Sequence, residues 1–262
     1  MRIDLKAGLL ACLCSWSAAA SAALDAQLLQ VQRAEVQMLR TGTELFVHRG
    51  EGGHAELTAR VEAQLLAFKD SLARLEAAPL SGESRALLEA LTPHRLAFEI
   101  KILEGLVYDP ASPELPWQFN FEFARVQRAL LLGLERLGRQ AQQAHAMTPL
   151  ELRLLDLPAK IQSLASRYTA RAYIGDIDSG PDEPAHYLSQ DIDALASSID
   201  ADLLALEQGL GPGPAREALR PLATRWKFIR GRLLDYQDNL APLVVARQAG
   251  EMAEGLLRLQ AL

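Results

Sequence analysis

The arrangement of apolar and polar residues predicts a helical protein. Apolar side chains recur at spacings of three and four along almost the whole chain, and few segments alternate apolar with polar residues. This period is typical of amphipathic α-helices, whereas strands alternate at every second residue. One clear stripe repeats every seven residues: Leu24, Val31, Met38 and Leu45. The fold class is therefore expected to be all-α.

Seven further helices are expected after the glycine-rich turn at residues 50–53. They lie at about 54–77, 83–107, 122–144, 149–174, 184–208, 214–236 and 241–260. In the helix at 83–107, Pro93 either introduces a kink or stands at the first position of a new helix that Thr92 caps. The helix at 149–174 is expected to break near Pro158. Thr148-Pro149-Leu150-Glu151 is a capping box that marks the start of the second half of the chain.

An internal repeat organises these helices. The stretch 54–103 recurs without a gap at 185–234, which is a shift of 131 residues. Matching positions include Phe68/Ile199, Leu72/Leu203, Leu75/Leu206, Gly82/Gly213, Leu88/Leu219, Leu91/Leu222 and Phe98/Ile229. A fixed shift maintained through a turn indicates one helical hairpin used twice. The sequence therefore predicts two tandem antiparallel four-helix modules, residues 23–147 and 148–262, packed as a helical bundle.

The first 22 residues are typical of a secretory signal peptide. They contain a basic start, a short apolar run and small residues before a cleavage site at Ala22. The apolar run is too short to span a bilayer, which needs roughly 20 residues, and no later segment predicts a transmembrane helix. We therefore expect export to the periplasm. Leu9-Leu10-Ala11-Cys12 also fits a lipoprotein processing site, so a lipid anchor at Cys12 is the alternative.

Charge and residue content narrow the functional classes. The net charge is −6 and no basic block occurs, so nucleic acid is not expected as a partner. Both cysteines lie in the leader, and the five histidines form no pair on one helix face. We expect the histidines to be scattered over the surface. The acidic run 176–183 has Pro181 where a calcium loop needs glycine. No metal, no cofactor and no enzymatic activity are expected.

Two groups of residues are candidate binding sites. Arg167 and Arg171 are four residues apart and share one helix face, and Arg33 and Arg40 share a face of the first helix. These arginines either form ion pairs with neighbouring helices or bind an anionic ligand. The segment 117–123 holds four aromatic rings at alternate positions, including Trp117, Phe119 and Phe121. These rings either close one end of the bundle or form a partner-binding patch.

Leu164 to Tyr173 resembles the first-helix motif of periplasmic four-helix sensor domains, found in nitrate-sensor kinases and type IV pilus methyl-accepting chemotaxis transducers. The chain keeps Leu164, Arg167 and Arg171 but lacks the Arg-Met-Leu core of that motif, since Ser163 precedes Leu164. The segment 225–242 is similar to the last hairpin of that family. The resemblance implies a sensor-like module that binds a small ligand or a partner, with a site between the opening helices of the two modules, near the four arginines. The alternative is a structural, assembly or adaptor protein of the cell envelope that docks through the segment around Trp117.

Overall fold

The computed structural model describes residues 5–143, 146–175, 191–234 and 241–260, with side chains from residue 27 onward. The helices in these ranges are α1 (Leu5–Gly50), α2 (Ala55–Ala77), α3 (Gly82–Ala90), α4 (Thr92–Leu106), α5 (Trp117–Gln143), α6 (Pro149–Ile174), α7 (Ile192–Gly209), α8 (Pro214–Leu233) and α9 (Pro242–Leu259). The described residues form no strand, and the prediction of an all-α helical bundle is confirmed. Across the same ranges, no helix combines the length and the apolar character that crossing a membrane requires.

Helices α1 and α6 form the centre of the bundle. Helix α1 packs against α2, α4, α5, α6 and α9, and α6 packs against α1, α7 and α9. Gln162 of α6 donates a hydrogen bond to Thr43 of α1 over 3.2 Å, and the ring of Tyr173 lies so close to Gly50 that a Cβ there would overlap with it. The later residue of α1 therefore lies beside the later residue of α6, which means that the two helices run parallel.

The apolar side chains form two large clusters on either side of this central pair. One cluster joins α1 to α2, α3, α4 and α5, and the other joins α6, α7, α8 and α9 with Val36 of α1. Pairs related by the shift of 131 that are buried in both copies include Phe68/Ile199, Leu72/Leu203, Leu75/Leu206, Leu88/Leu219, Leu91/Leu222, Phe98/Ile229 and Ile102/Leu233. Burial thus follows the repeat, while the division into two four-helix modules stays a prediction.

The expected helix at 83–107 is two helices, which meet at Leu91. Pro93 stands in the first turn of α4, so the alternative of a new helix is correct, although Leu91 rather than Thr92 occupies the cap position. Proline has no N–H to donate to the carbonyl four residues earlier. Pro93 therefore leaves the carbonyl of Glu89 without its helical donor. The amide of Leu91 donates to this carbonyl and to that of Leu88 at the end of α3.

The expected break at Pro158 does not occur, because α6 runs through it without interruption. Pro158 cannot donate to the carbonyl of Leu154, which lies four residues earlier. That oxygen instead accepts a hydrogen bond of 2.6 Å from the side-chain amide of Gln260. The C-terminal end of α9 therefore satisfies the carbonyl that the proline leaves without its helical partner, and the helix continues.

Both halves of the predicted capping box are present at the start of α6. The amide of Glu151 donates to Oγ1 of Thr148 over 3.3 Å, and the amide of Thr148 donates to the Glu151 carboxylate over 2.7 Å. The bond to the Thr148 amide lowers the pKa of Glu151. The acidic run at 176–183 and the predicted helix start near residue 184 lie outside the described residues.

Candidate functional site

The aromatic segment forms the first two turns of α5, which begins five residues before the expected position. On a helix, rings four residues apart share a face, so Trp117 pairs with Phe121 and Phe119 pairs with Phe123. Trp117 is 79% exposed and Phe121 is 45% exposed. Their rings stack with centroids 5.8 Å apart. Trp117 and Phe121 therefore form an aromatic surface at the start of α5.

The second pair of rings points inward. Phe119 and Phe123 are buried in the first core cluster, and their rings stack with centroids 6.0 Å apart. The structure therefore places Phe119 in the core, and the candidate patch is reduced to Trp117 and Phe121. Phe119 supports the patch from within, because it fixes the first turn of α5 against the bundle.

Charged residues anchor this helix start to α4. Nζ of Lys101 lies 2.7 Å from the Glu122 carboxylate and 5.4 Å from the centroid of the Phe119 ring. Hydrogen bonds to Glu104 and Glu122 raise the pKa of Lys101, and the bond to Lys101 lowers the pKa of Glu122. Both charges are therefore retained near neutral pH, and the ion pair holds α4 and α5 together below the aromatic surface.

The loop that leads into α5 is anchored by a buried arginine. The guanidinium of Arg49, at the end of α1, donates to the carbonyls of Val107 over 2.8 Å and of Pro113 over 2.5 Å. It also lies 5.0 Å from the centre of the Tyr108 ring. Burial lowers the pKa of Arg49. Because both bonds hold main-chain atoms, Arg49 fixes the path of residues 107–113 and thereby the approach to Trp117.

His48 departs from the expectation of surface histidines. It is fully buried, and its Nε2 lies 3.1 Å from Oγ1 of Thr58. Burial lowers the pKa of His48, and the neighbouring Arg49 lowers it further. Where the structure describes the chain, no cluster of three or more histidine, cysteine or acidic residues is arranged to hold a metal ion. The burial of the His48 ring places it in the packed interior at the end of α1.

The four predicted arginines are spread along the central helix pair. Arg40 forms an ion pair of 3.3 Å with Glu254 of α9, and Gln37 donates to the same carboxylate over 2.8 Å. Arg167 is half-buried and Arg171 is exposed, and both have interaction partners. Since Tyr173 lies at Gly50 in this parallel pair, Arg171 lies near the end of α1.

The half-buried Arg33 lies roughly 25 Å from that end, at 1.5 Å per helical residue. The four guanidinium groups therefore do not lie at one level of the bundle. A groove of about 420 Å³ between the α3–α4 junction and α5 is lined by other residues, including Leu91, Arg128 and Arg136.

Sequence reasoning missed two groups of buried charge. Glu35 lies where α1, α5 and α6 meet, and burial raises its pKa well above the usual value, with further increases from Glu135 and Asp156. Asp202 of α7 accepts bonds from Lys160 over 2.7 Å and from Arg153 over 2.5 Å. A charged residue in a helical stripe normally faces solvent. No local signal therefore distinguishes Glu35 or Asp202 from the many surface acids.

Sequence reasoning also missed an apolar stripe on the outer face of α4. Its members are Leu96, Ile100 and Leu103 of α4 and Val107, which follows directly at the C-cap; all four are exposed. The spacing of four and three places the three helical residues on one face, opposite Phe98 and Ile102, which are buried. The sequence signal for this stripe was a second apolar face on a helix that already has an apolar face directed inward.

No family model, curated protein or solved structure matches the chain. The resemblance to four-helix sensor domains is therefore still a prediction, and the functional argument depends on the geometry of the described residues.

Proposed function

We propose that the chain is an exported, non-enzymatic helical protein that binds a partner protein of the cell envelope through Trp117 and Phe121. One observation carries the proposal: a large indole, 79% exposed, is stacked on a half-exposed phenyl ring at the start of a helix. Tryptophan is among the residues most enriched at binding hot spots. An exposed stacked pair presents apolar area that a partner removes from water on binding.

The support beneath these rings favours binding. Ordering a flexible side chain or loop on association costs free energy that reduces affinity. Here the Lys101–Glu122 ion pair holds the second turn of α5 against α4, and Arg49 holds the loop before the helix. Phe119 packs in the core directly beneath. The surface is therefore organised before a partner arrives, and little ordering remains to oppose binding.

A sensor-like site at the four arginines draws less support. Arg40 already has a carboxylate partner in Glu254, and Arg33 and Arg171 lie far apart along the helix pair. Binding one small anion favours donors that converge on a single point. We therefore propose partner docking ahead of ligand binding as the activity of this protein.

The combined substitution Trp117→Ala and Phe121→Ala tests the proposal. We expect the variant to fold with unchanged stability, because both rings are exposed, and to lose co-purification of its envelope partner. The matched control is Leu204→Ala with Phe228→Ala, since these side chains of α7 and α8 are 53% and 52% exposed. The control should retain the partner. If the aromatic variant binds the same partner as the unsubstituted chain, the proposal is wrong.

A further inference from the structure

The apolar stripe on α4 forms a second surface, made of different residues from the aromatic one. Leu96, Ile100, Leu103 and Val107 are between about half and three quarters exposed. On α2, the exposed Leu66 lies one turn before Lys69. Lys69 forms an ion pair of 3.2 Å with Glu99 of α4, so this edge of α2 continues the surface. Together with Leu66, the four side chains named first form the surface that we call the α4 stripe.

The internal repeat shows that the helical hairpin does not require this stripe. The shift of 131 pairs Leu96 with Lys227 and Ile100 with Gly231. The corresponding positions of α8 therefore carry a charge and a glycine, and the equivalent of Leu103, Leu234, is half-buried against the second core cluster. Two hairpins with matching buried positions differ on their outer faces. The apolar residues on α4 therefore serve something other than folding of the hairpin.

We propose that the α4 stripe binds a second copy of this chain, with the two α4 helices antiparallel. The spacing of four and three between Leu96, Ile100 and Leu103 is that of alternating core positions in a coiled coil. In an antiparallel pair, Ile100 lies against Leu103 of the second copy, and Leu96 lies towards its Val107, just beyond the helix end. The same surface then serves both copies around a two-fold axis, which is the commonest form of soluble oligomer.

The charges beside the stripe select the antiparallel arrangement. Glu99 and Glu104 occupy the two flanking positions, which face each other across the seam when the helices are parallel. Parallel packing would bring these carboxylates together and be disfavoured. Antiparallel packing places Glu99 beside Leu106 and Glu104 beside Ala97 of the second copy. Each glutamate keeps its ion pair within its own copy, with Lys69 and Lys101 respectively.

The size of the stripe predicts a reversible dimer. The five side chains expose on the order of 300 Å² of apolar area per copy. A stable specific interface buries about 800 Å² per partner. The stripe alone falls short of this area, so the dimer is expected to be weak and to depend on protein concentration rather than to be permanent.

Sedimentation equilibrium of the purified chain over a concentration series tests this proposal. The unsubstituted chain should pass reversibly from monomer to dimer, while Ile100→Lys and Leu103→Glu should each remain monomeric over the same range. Both positions are exposed, so neither variant should lose stability. An equimolar mixture of the two variants should recover the dimer, because the introduced lysine faces the introduced glutamate and the second layer keeps its Ile–Leu contact.

The control variants are Leu204→Lys and Phe228→Lys, which add a charge at similarly exposed positions outside the stripe and should dimerise normally. The combined Trp117→Ala and Phe121→Ala variant should also dimerise normally, which separates this proposal from partner docking. A chain that is monomeric throughout the range overturns the proposal. A dimer that either single stripe variant leaves intact also overturns it. A mixture of the two variants that stays monomeric contradicts the antiparallel arrangement, because a parallel seam would not bring the introduced lysine and glutamate together.

Discussion

Truncation of Leu72 and Leu203 to alanine tests the duplicated core. The shift of 131 pairs these residues, which are 2% and 4% exposed in separate core clusters. Each truncation removes roughly three methylene equivalents, which corresponds to about 2.4 kcal/mol of transfer free energy. The cavity left behind adds to this, so we expect each variant to lose about 2.7–5 kcal/mol of unfolding free energy.

Urea denaturation followed by circular dichroism measures these losses. The exposed Leu204 supplies a matched leucine control in α7, and its truncation should change the unfolding free energy by no more than about 0.5 kcal/mol. If Leu72→Ala shows the full loss while Leu203→Ala behaves like this surface control, the two hairpins do not bury equivalent positions. That result would refute the reasoning from the repeat.

The buried charges yield two further predictions. Since burial with Glu135 and Asp156 nearby raises the pKa of Glu35, its stabilising protonated form is lost as pH rises through that raised pKa. Glu35→Gln should therefore be more stable than the unsubstituted chain by about 1–3 kcal/mol at neutral pH, and this gain should shrink towards pH 4.5. Thermal melts from pH 4.5 to 8 measure the difference, and a difference that stays constant over this range would contradict the prediction. Asp202→Asn leaves the buried Lys160 without its carboxylate and should cost about 3–5 kcal/mol in urea denaturation, whereas a loss below about 1 kcal/mol would mean that solvent replaces the pair.

The helical architecture could be predicted because periodicity and end signals are local. The capping box at Thr148 and Glu151 requires only residues three apart, and both of its bonds form at the predicted start of α6. The glycine-rich turn at 50–53 likewise separates α1 from α2 as expected. Burial of the paired repeat positions also follows from sequence alone, since each pair lies on the inward stripe of its helix.

The errors arose where distant residues decide the structure. Continuity of α6 through Pro158 depends on Gln260, which is about a hundred positions away in the chain and satisfies the carbonyl of Leu154. Burial of His48 similarly depends on residues that other helices contribute. No pattern within one helix reports these contacts.

The candidate surface could be predicted in part. The cluster of rings at 117–123 was identified from sequence, and their spacing places Trp117 with Phe121 and Phe119 with Phe123. Which pair lies in the core depends on how α5 packs against α1 and α4, and the structure buries Phe119 and Phe123. The spacing of the arginines places Arg33 with Arg40, and Arg167 with Arg171, on one helix face each. The separation of the two pairs along the bundle depends on how α1 and α6 align, and neither sequence segment encodes this alignment.

Photo-crosslinking in intact cells tests partner docking most directly. A photoreactive phenylalanine analogue is placed at Phe121 in one chain and at Phe228 in another, since these rings are 45% and 52% exposed. We predict a single crosslinked product with a different envelope protein from position 121, lost when Trp117→Ala is added, and no such product from position 228. No product from position 121, the same product from both positions, or a product of two copies of this chain would contradict the proposed function.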